Sequence, residues 1–204
     1  MGHGVTPELP VGGHSVVILD HLFTMFAAAR DMTGHRDYVV IGSLSVLGLG
    51  DDGPIPDDMT MSNDIDCYTK ADPERIRDVQ AALGADSAFH VKNGYFLDPV
   101  SPSLPSLPEG WEGRMNRIER DGIRVWFLEP NDAAMSKYAR GESRDQRWIR
   151  SGALNGLVSL PTVNARLKDT LFIDAEEERA VRARIEADRV WFETIKASRN
   201  DAMT

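Results

Sequence analysis

The chain has 204 residues and a formal net charge of −9, so it is long enough to bury one sizeable core. The acidic balance argues against broad nonspecific adhesion to nucleic acid, and no apolar stretch approaches the roughly 20 residues needed to span a bilayer. The N-terminus lacks the features of a secretory signal, and the single cysteine, Cys67, has no partner for an internal disulfide. Together these features predict a cytoplasmic protein with no membrane partner.

The N-terminal part of the chain predicts a helix followed by two strands. Its first residues, 1–13, are rich in Gly and Pro and predict a poorly ordered start. Beyond them, apolar residues recur first at helical spacing and then in short continuous runs. In chain order, the predicted elements are a helix from about 17 to 30, a strand over 38–41, a short helix over 44–49, a loop over 49–58 and a strand over 64–68.

Turn residues and apolar runs alternate in the middle of the chain. Asp72 and Pro73 are typical of a helix start, with the acid as N-cap and the proline at the first helical position. The predicted elements are a helix over 73–83, a strand or hairpin over 89–98 turning at Asn93-Gly94, a loop over 101–110, and paired strands over 114–120 and 123–128 turning at Asp121-Gly122.

After Glu129-Pro130 the pattern becomes helical. The predicted helices run from a cap at Asn131 or Asp132 through Ala139, over 144–151, over 161–167, and from a cap at Asp174 along the C-terminal part. The fold class that follows is α+β, a mixed β-sheet flanked by helices with a helical C-terminal region. We expect an α/β core over 14–130 and a helical region over 131–200 packed on it.

Acidic residues at two places predict a metal site. Asp64 and Asp66 alternate along one predicted strand, so their side chains project from the same face. Asp98 ends another apolar strand, and three carboxylates from neighbouring strands suit two metal ions about 4 Å apart. Upstream, Gly42 leaves backbone N–H groups accessible and Ser43 adds a hydroxyl where phosphate oxygens can sit. The alternative is that these acids merely end strands and turns.

Basic side chains on a predicted helix supply a second candidate group. Lys137, Arg140 and Arg144 are spaced three and four apart, so on a continuous helix they share one face. Beside the sheet, such a face would bring a lysine point charge and an arginine fork to a triphosphate. The alternative is a solvated basic face whose partners are Glu142 and Asp145.

These residues resemble a known family. A strand ending in Gly42-Ser43, a later Asp-hydrophobic-Asp and a third acid on another strand are similar to the nucleotidyltransferase superfamily of the polymerase-beta type. The continuation resembles a bacterial branch of small nucleotidyltransferase-like proteins, several of them linked to toxin–antitoxin loci. The resemblance covers roughly residues 35 to 170, and the segments that carry it to this branch are Tyr95–Asp98, Leu107–Arg114 and Leu128–Asp145.

The resemblance implies a metal-dependent transfer of a nucleoside monophosphate from a nucleoside triphosphate to an acceptor. The acceptor stays open between a tRNA, a protein and a small molecule, and the role implied is a toxin that a cognate antitoxin restrains. We expect Mg²⁺ or Mn²⁺ as the cofactor. The expected catalytic residues are Asp64, Asp66, Asp98 and Lys137; the three aspartates are also the metal ligands, and the nucleotide-binding residues are Gly42, Ser43, Lys137, Arg140 and Arg144.

Two departures from the family pattern favour a second hypothesis. The gap between Ser43 and Asp64 is longer than usual, and Thr60 stands where a basic residue commonly precedes the carboxylate pair. These features would fit a catalytically degenerate member of the fold that serves as an antitoxin or a partner-binding module. A third hypothesis is a phosphohydrolase that uses the same acids.

Overall fold

The computed structural model describes residues 16–50 and 53–201. The predictions for residues 1–13 and for part of the loop over 49–58 therefore lie outside the described residues. None of the helices in the described part combines the length and the apolar character that crossing a lipid bilayer requires. Cytoplasmic location stays a prediction.

A mixed five-stranded sheet forms the centre of the fold, with the strand order β3-β2-β1-β5-β4. The β2/β1 and β5/β4 pairs are antiparallel, whereas β3/β2 and β1/β5 are parallel. This arrangement, flanked by helices, confirms the predicted α+β class. The strands are β1 (Asp37–Val40), β2 (Asp64–Thr69), β3 (Phe96–Pro99), β4 (Asn116–Arg120) and β5 (Ile123–Phe127).

Helices cover the sheet and make up the C-terminal third. Short 3₁₀ helices span Ser43–Leu49, Pro73–Val79, Trp111–Arg114 and Leu167–Asp169. The α-helices are α1 (Leu19–Thr33), α2 (Asp57–Thr60), α3 (Gln80–Leu83), α4 (Ala88–Asn93), α5 (Pro130–Arg140), α6 (Ser143–Leu154), α7 (Leu160–Arg166) and α8 (Ala175–Asp201). Buried residues from both predicted regions join one apolar core, and the division at 130 stays a prediction.

Side-chain alternation gives the sheet two different faces. In the β1/β2 pairing, Tyr38 and Val40 lie opposite Thr69 and Cys67, so these four share one face. The ring of Phe26 from α1 stacks on Tyr38 with centroids 4.4 Å apart, which places α1 on that face. The acids of β2 therefore project from the other face.

The predicted strand or hairpin over 89–98 is wrong in its first half. Residues 88–93 form α4, which begins because the Ser87 hydroxyl accepts a hydrogen bond from the His90 amide, 3.1 Å away. Gly94 ends it in the left-handed region at φ 78°. The strand that follows, β3, runs parallel to β2, so Asn93-Gly94 is a helix end rather than a hairpin turn.

One predicted helix cap is also wrong. Glu129 begins α5, since its side chain accepts hydrogen bonds from the amides of Asn131 and Asp132. Asp72 stands at the predicted N-cap position and Pro73 begins the helix, but the helix is 3₁₀ and the Asp72 side chain makes no capping hydrogen bond. The Asp174 cap of α8 is confirmed, because its carboxylate accepts from the two amides that follow at positions 176 and 177, each 2.8 Å away.

Asp132 belongs to a buried network of ion pairs instead of capping α5. Its side chain is fully buried and accepts hydrogen bonds from Arg114 at 2.8 Å and from Arg166 at 2.8 Å. Arg166 also bonds Glu129. The network joins the 3₁₀ turn at Trp111–Arg114, α5 and α7 in one place. A buried carboxylate needs such partners, since an unpaired buried charge is strongly destabilising.

Candidate active site

Three carboxylates meet at one place on the sheet. Asp64 and Asp66 alternate along β2, and the parallel register sets Asp98 of β3 directly opposite Asp66. One oxygen from each of the three lies within 4.8 Å of the others. The structure therefore brings together the acids that the sequence predicts as metal ligands, and it does so through strand alternation and register alone.

The crowding of these acids perturbs their protonation. Burial, followed by the charges of Asp64 and Asp98, raises the pKa of Asp66 to about 7. Burial and the charge of Asp64 also raise the pKa of Asp98. Among the described residues, no Lys or Arg forms an ion pair with any of the three. The cluster thus holds negative charge that a neighbouring cation would stabilise.

Gly42 allows the acid cluster to touch the turn after β1. A Cβ at this position would lie 1.9 Å from Oδ2 of Asp66, so no side chain fits. The backbone also takes φ 70° and ψ −155°, a conformation reserved almost entirely for glycine. The Gly42-Ser43 turn and the carboxylates consequently share one site.

Lys137 reaches the same turn from α5. Its Nζ donates a hydrogen bond to Oγ of Ser43 at 2.8 Å and lies 3.5 Å from Oδ1 of Asp145. Only 3 % of the residue is exposed, and this burial lowers the pKa of Lys137 to about 8 against the opposing effect of Asp145. The Trp148 indole N–H donates to the Ser43 carbonyl at 3.2 Å, which fixes the turn from a second side.

The predicted basic face on a single helix is wrong. Gly141 ends α5 in the left-handed region at φ 72°, so Arg144 belongs to α6. Arg140 stays on α5 and donates to the buried Asp145 at 2.8 Å. Arg144 is exposed and pairs with Glu142 at 2.7 Å. The turn therefore separates the two arginines into different surroundings.

Arg144 nevertheless lies near the acids. It lines a cavity of about 280 Å³ together with Ser43, Asp64 and Arg147. Arg147 was not singled out from the sequence, although its position one helical turn after Arg144 is the signal that would have shown it. Arg140 instead lines a different cavity, of about 260 Å³, with Gly42 and Asp66. Of the five predicted nucleotide-binding residues, Gly42 and Arg140 thus line one cavity and Ser43 and Arg144 the other, whereas Lys137 lines neither and contacts Ser43.

The donor set suits a hard divalent cation. Mg²⁺ is bound through a few carboxylates together with substrate phosphates, and all three side chains here offer carboxylate oxygens. Burial and then the charges of Asp64 and Asp98 raise the pKa of Asp66, so a bound cation would stabilise its ionised form. Asp64, Asp66 and Asp98 are accordingly the residues that would hold Mg²⁺ or Mn²⁺.

A family model described as a nucleotidyltransferase of unknown function, DUF6036, matches residues 20–199. The chain belongs to this family. The match confirms the expected likeness to nucleotidyltransferases, and it spans the whole sheet as well as the C-terminal helices. No curated protein and no solved structure matches the chain. The family description supports nucleotidyl transfer as a class of activity, and the residue roles at the site stay predictions.

Proposed function

We propose that the protein transfers a nucleoside monophosphate from a nucleoside triphosphate to an acceptor hydroxyl. The observation that carries this proposal is the meeting of three carboxylates with the Gly42-Ser43 turn, to which the buried Lys137 is hydrogen-bonded. A divalent cation bound there would neutralise phosphate charge as the bond to the leaving group breaks.

Each part of the site has a task in this reaction. The Ser43 hydroxyl and the Lys137 ammonium would bind phosphate oxygens, and Arg144 and Arg147 line the cavity where the outer phosphates would lie. Asp98 would orient the acceptor hydroxyl and take its proton. The acceptor oxygen bonds to the α-phosphorus, and pyrophosphate leaves with the electrons of the broken bond. Catalysis would rest on positioning and charge.

Positive charge at the site supports the enzyme over a degenerate module. Thr60 stands where a basic residue is common in the family pattern, and it is buried. However, Arg144 and Arg147 of α6 line the same cavity as Asp64. A different element therefore supplies arginines to the cavity that Asp64 lines, which is one reason to favour the enzyme over the degenerate alternative. A toxin role with a cognate antitoxin stays a prediction from the resemblance.

Labelled nucleotides test the proposal directly. The protein is incubated with each α-³²P nucleoside triphosphate, Mg²⁺, total tRNA and cellular protein, beside an Asp64→Ala variant. We expect label on one macromolecule, lost in the variant and in EDTA. Release of free phosphate from γ-³²P nucleoside triphosphates without an acceptor would instead indicate a phosphohydrolase. Absence of both label and nucleotide binding would favour the partner-binding module.

A further inference from the structure

Two adjoining cavities lie between the acid cluster and an exposed apolar surface. The inner part is the cavity of about 260 Å³ against Gly42 and Asp66. The outer part is a cavity of about 340 Å³. Leu104, Pro105 and Ser106 line both parts, so the two cavities adjoin at this loop. We call the whole feature the acceptor groove.

The outer part of the acceptor groove is apolar and open to solvent. Among the described residues that line it, none carries a charge. Leu104, Leu171 and Ile173 are 69 %, 79 % and 82 % exposed, which is unusual for three large apolar residues in one cavity. Trp111, partly buried, packs against the core from the same cavity. Such a surface matches an apolar partner.

The charges along the acceptor groove do not suit an RNA. Arg140 is the one basic residue among its described lining residues, and Asp145 accepts two hydrogen bonds from its guanidinium. The other charged lining residues are Asp66 and Glu177. Single-stranded nucleic acids are bound in positively charged grooves that follow the phosphates. In contrast, two arginines, Arg144 and Arg147, line the other cavity beside the acid cluster.

Hydrogen bonds hold the walls of the acceptor groove in place. Glu177 of α8 accepts from the Ser106 hydroxyl at 2.9 Å and from the Ile173 amide at 2.7 Å. The Glu109 amide donates to the Asp169 carbonyl at 2.7 Å. The loop on one wall and the segment before α8 on the other are thereby joined. A groove fixed in this way loses less conformational entropy when a ligand binds.

We infer that the acceptor is a polypeptide, whose Ser, Thr or Tyr hydroxyl reaches the acid cluster while neighbouring apolar side chains lie in the acceptor groove. This inference rests on the proposed function and specifies its acceptor. The side-chain oxygen bonds to the α-phosphorus of the nucleoside triphosphate, pyrophosphate leaves, and the proton passes to Asp98. The product is a protein that carries a nucleoside monophosphate in phosphodiester linkage.

The test changes the outer rim without touching the acids. A double variant, Leu171→Asp with Ile173→Asp, places charge on two exposed positions. Val91→Asp is the matched control, because Val91 is 81 % exposed and lies on α4, away from the acceptor groove. The acceptors are short synthetic peptides with a central Ser, Thr or Tyr between Leu and Val, the same peptides with Lys and Glu flanks, and total tRNA. Initial rates are measured with α-³²P nucleoside triphosphates and Mg²⁺.

We expect label on the apolar peptides in preference to the charged ones. The double variant should raise the KM for peptide about tenfold, as loss of a 1.4 kcal/mol contact does. Its KM for nucleotide and the rates of the Val91→Asp control should stay within about twofold of wild type, inside the usual effect of a surface substitution.

Three results would overturn the inference and leave the proposed function standing. These are label on tRNA alone, equal labelling of both peptide sets, and a double variant whose KM rises for nucleotide rather than for peptide. Absence of nucleotide binding and of label on every acceptor would instead defeat the proposed function itself.

Discussion

Removing the charge of Asp66 should stabilise the protein when no divalent cation is present. The folded protein raises the pKa of this carboxyl from 3.8 to about 7, so the ionised form is disfavoured in the folded state. The carboxyl therefore does not destabilise the folded protein below about pH 3.8, where it is protonated in both states. The free energy of unfolding then falls as the pH rises through about 7, where the carboxyl ionises in the folded state as well. Asp66→Asn removes the ionisation and should therefore raise the free energy of unfolding above about pH 7.

The structure sets the size of this effect. The interval from 3.8 to about 7, at about 1.36 kcal/mol per pH unit, gives a ceiling of about 4 kcal/mol. Because structural relaxation and water penetration reduce the cost of a buried charge, we expect about 1–3 kcal/mol. At about 2–4 °C per kcal/mol for a chain of this size, Tm should rise by about 2–12 °C.

Thermal unfolding followed by circular dichroism in EDTA measures the change, at about pH 8 and about pH 5. The stabilisation should be smaller at the lower pH, and added Mg²⁺ should raise Tm of wild type more than Tm of the variant. The exposed Asp57→Asn serves as a control, with an expected change within about 0.5 kcal/mol. A fall of several degrees for Asp66→Asn at about pH 8 would refute the reasoning, because it would make the carboxylate a stabilising structural group.

Further substitutions test how the site is held. Gly42→Ala should lower the free energy of unfolding by about 1–3 kcal/mol, because alanine is strained in this backbone conformation. It should also reduce the transfer rate at least tenfold, since a Cβ there displaces the Asp66 carboxylate. A normal transfer rate would contradict this contact. Asp145→Asn should raise the KM for nucleotide by weakening the hold on Lys137. Asp132→Asn is the control: it should destabilise the protein by up to about 3–5 kcal/mol, measured by urea unfolding, and leave the KM for nucleotide unchanged in initial-rate assays. Equal KM changes in the Asp145→Asn and Asp132→Asn variants would mean that Asp145 acts only on folding.

The sheet was predictable where the signals are local. The turn at Asp121-Gly122 has positive φ at both residues, 49° and 71°, which is the geometry that the Asp-Gly pair favours in a two-residue hairpin. The helix over 88–93 was not predictable from alternation, because its cap at Ser87 and its end at Gly94 resemble the boundaries of a strand just as well. Only the parallel pairing of β3 with β2 separates the two possibilities.

The acid cluster was predictable in part. Alternation places Asp64 and Asp66 on one face, but the approach of Asp98 depends on the order of strands, which has no local signal. The positions of the basic residues were also predictable only in part. Lys137 is where helical spacing puts it, whereas Gly141 turns the chain and moves Arg144 to another helix. The acceptor groove joins loop and helix residues far apart in sequence, so no motif indicated it.

Binding of Mn²⁺ in the presence of a nucleoside triphosphate analogue with a non-cleavable α–β linkage is the most direct measurement. Electron paramagnetic resonance reports the free ion during a titration of wild type, Asp64→Ala and the Asp57→Asn control. Wild type and the control should bind Mn²⁺ more tightly once the nucleotide is present, and Asp64→Ala should lose this gain. Equal binding by wild type and Asp64→Ala, or no nucleotide-dependent gain in wild type, would contradict a metal-dependent nucleotide site at these carboxylates.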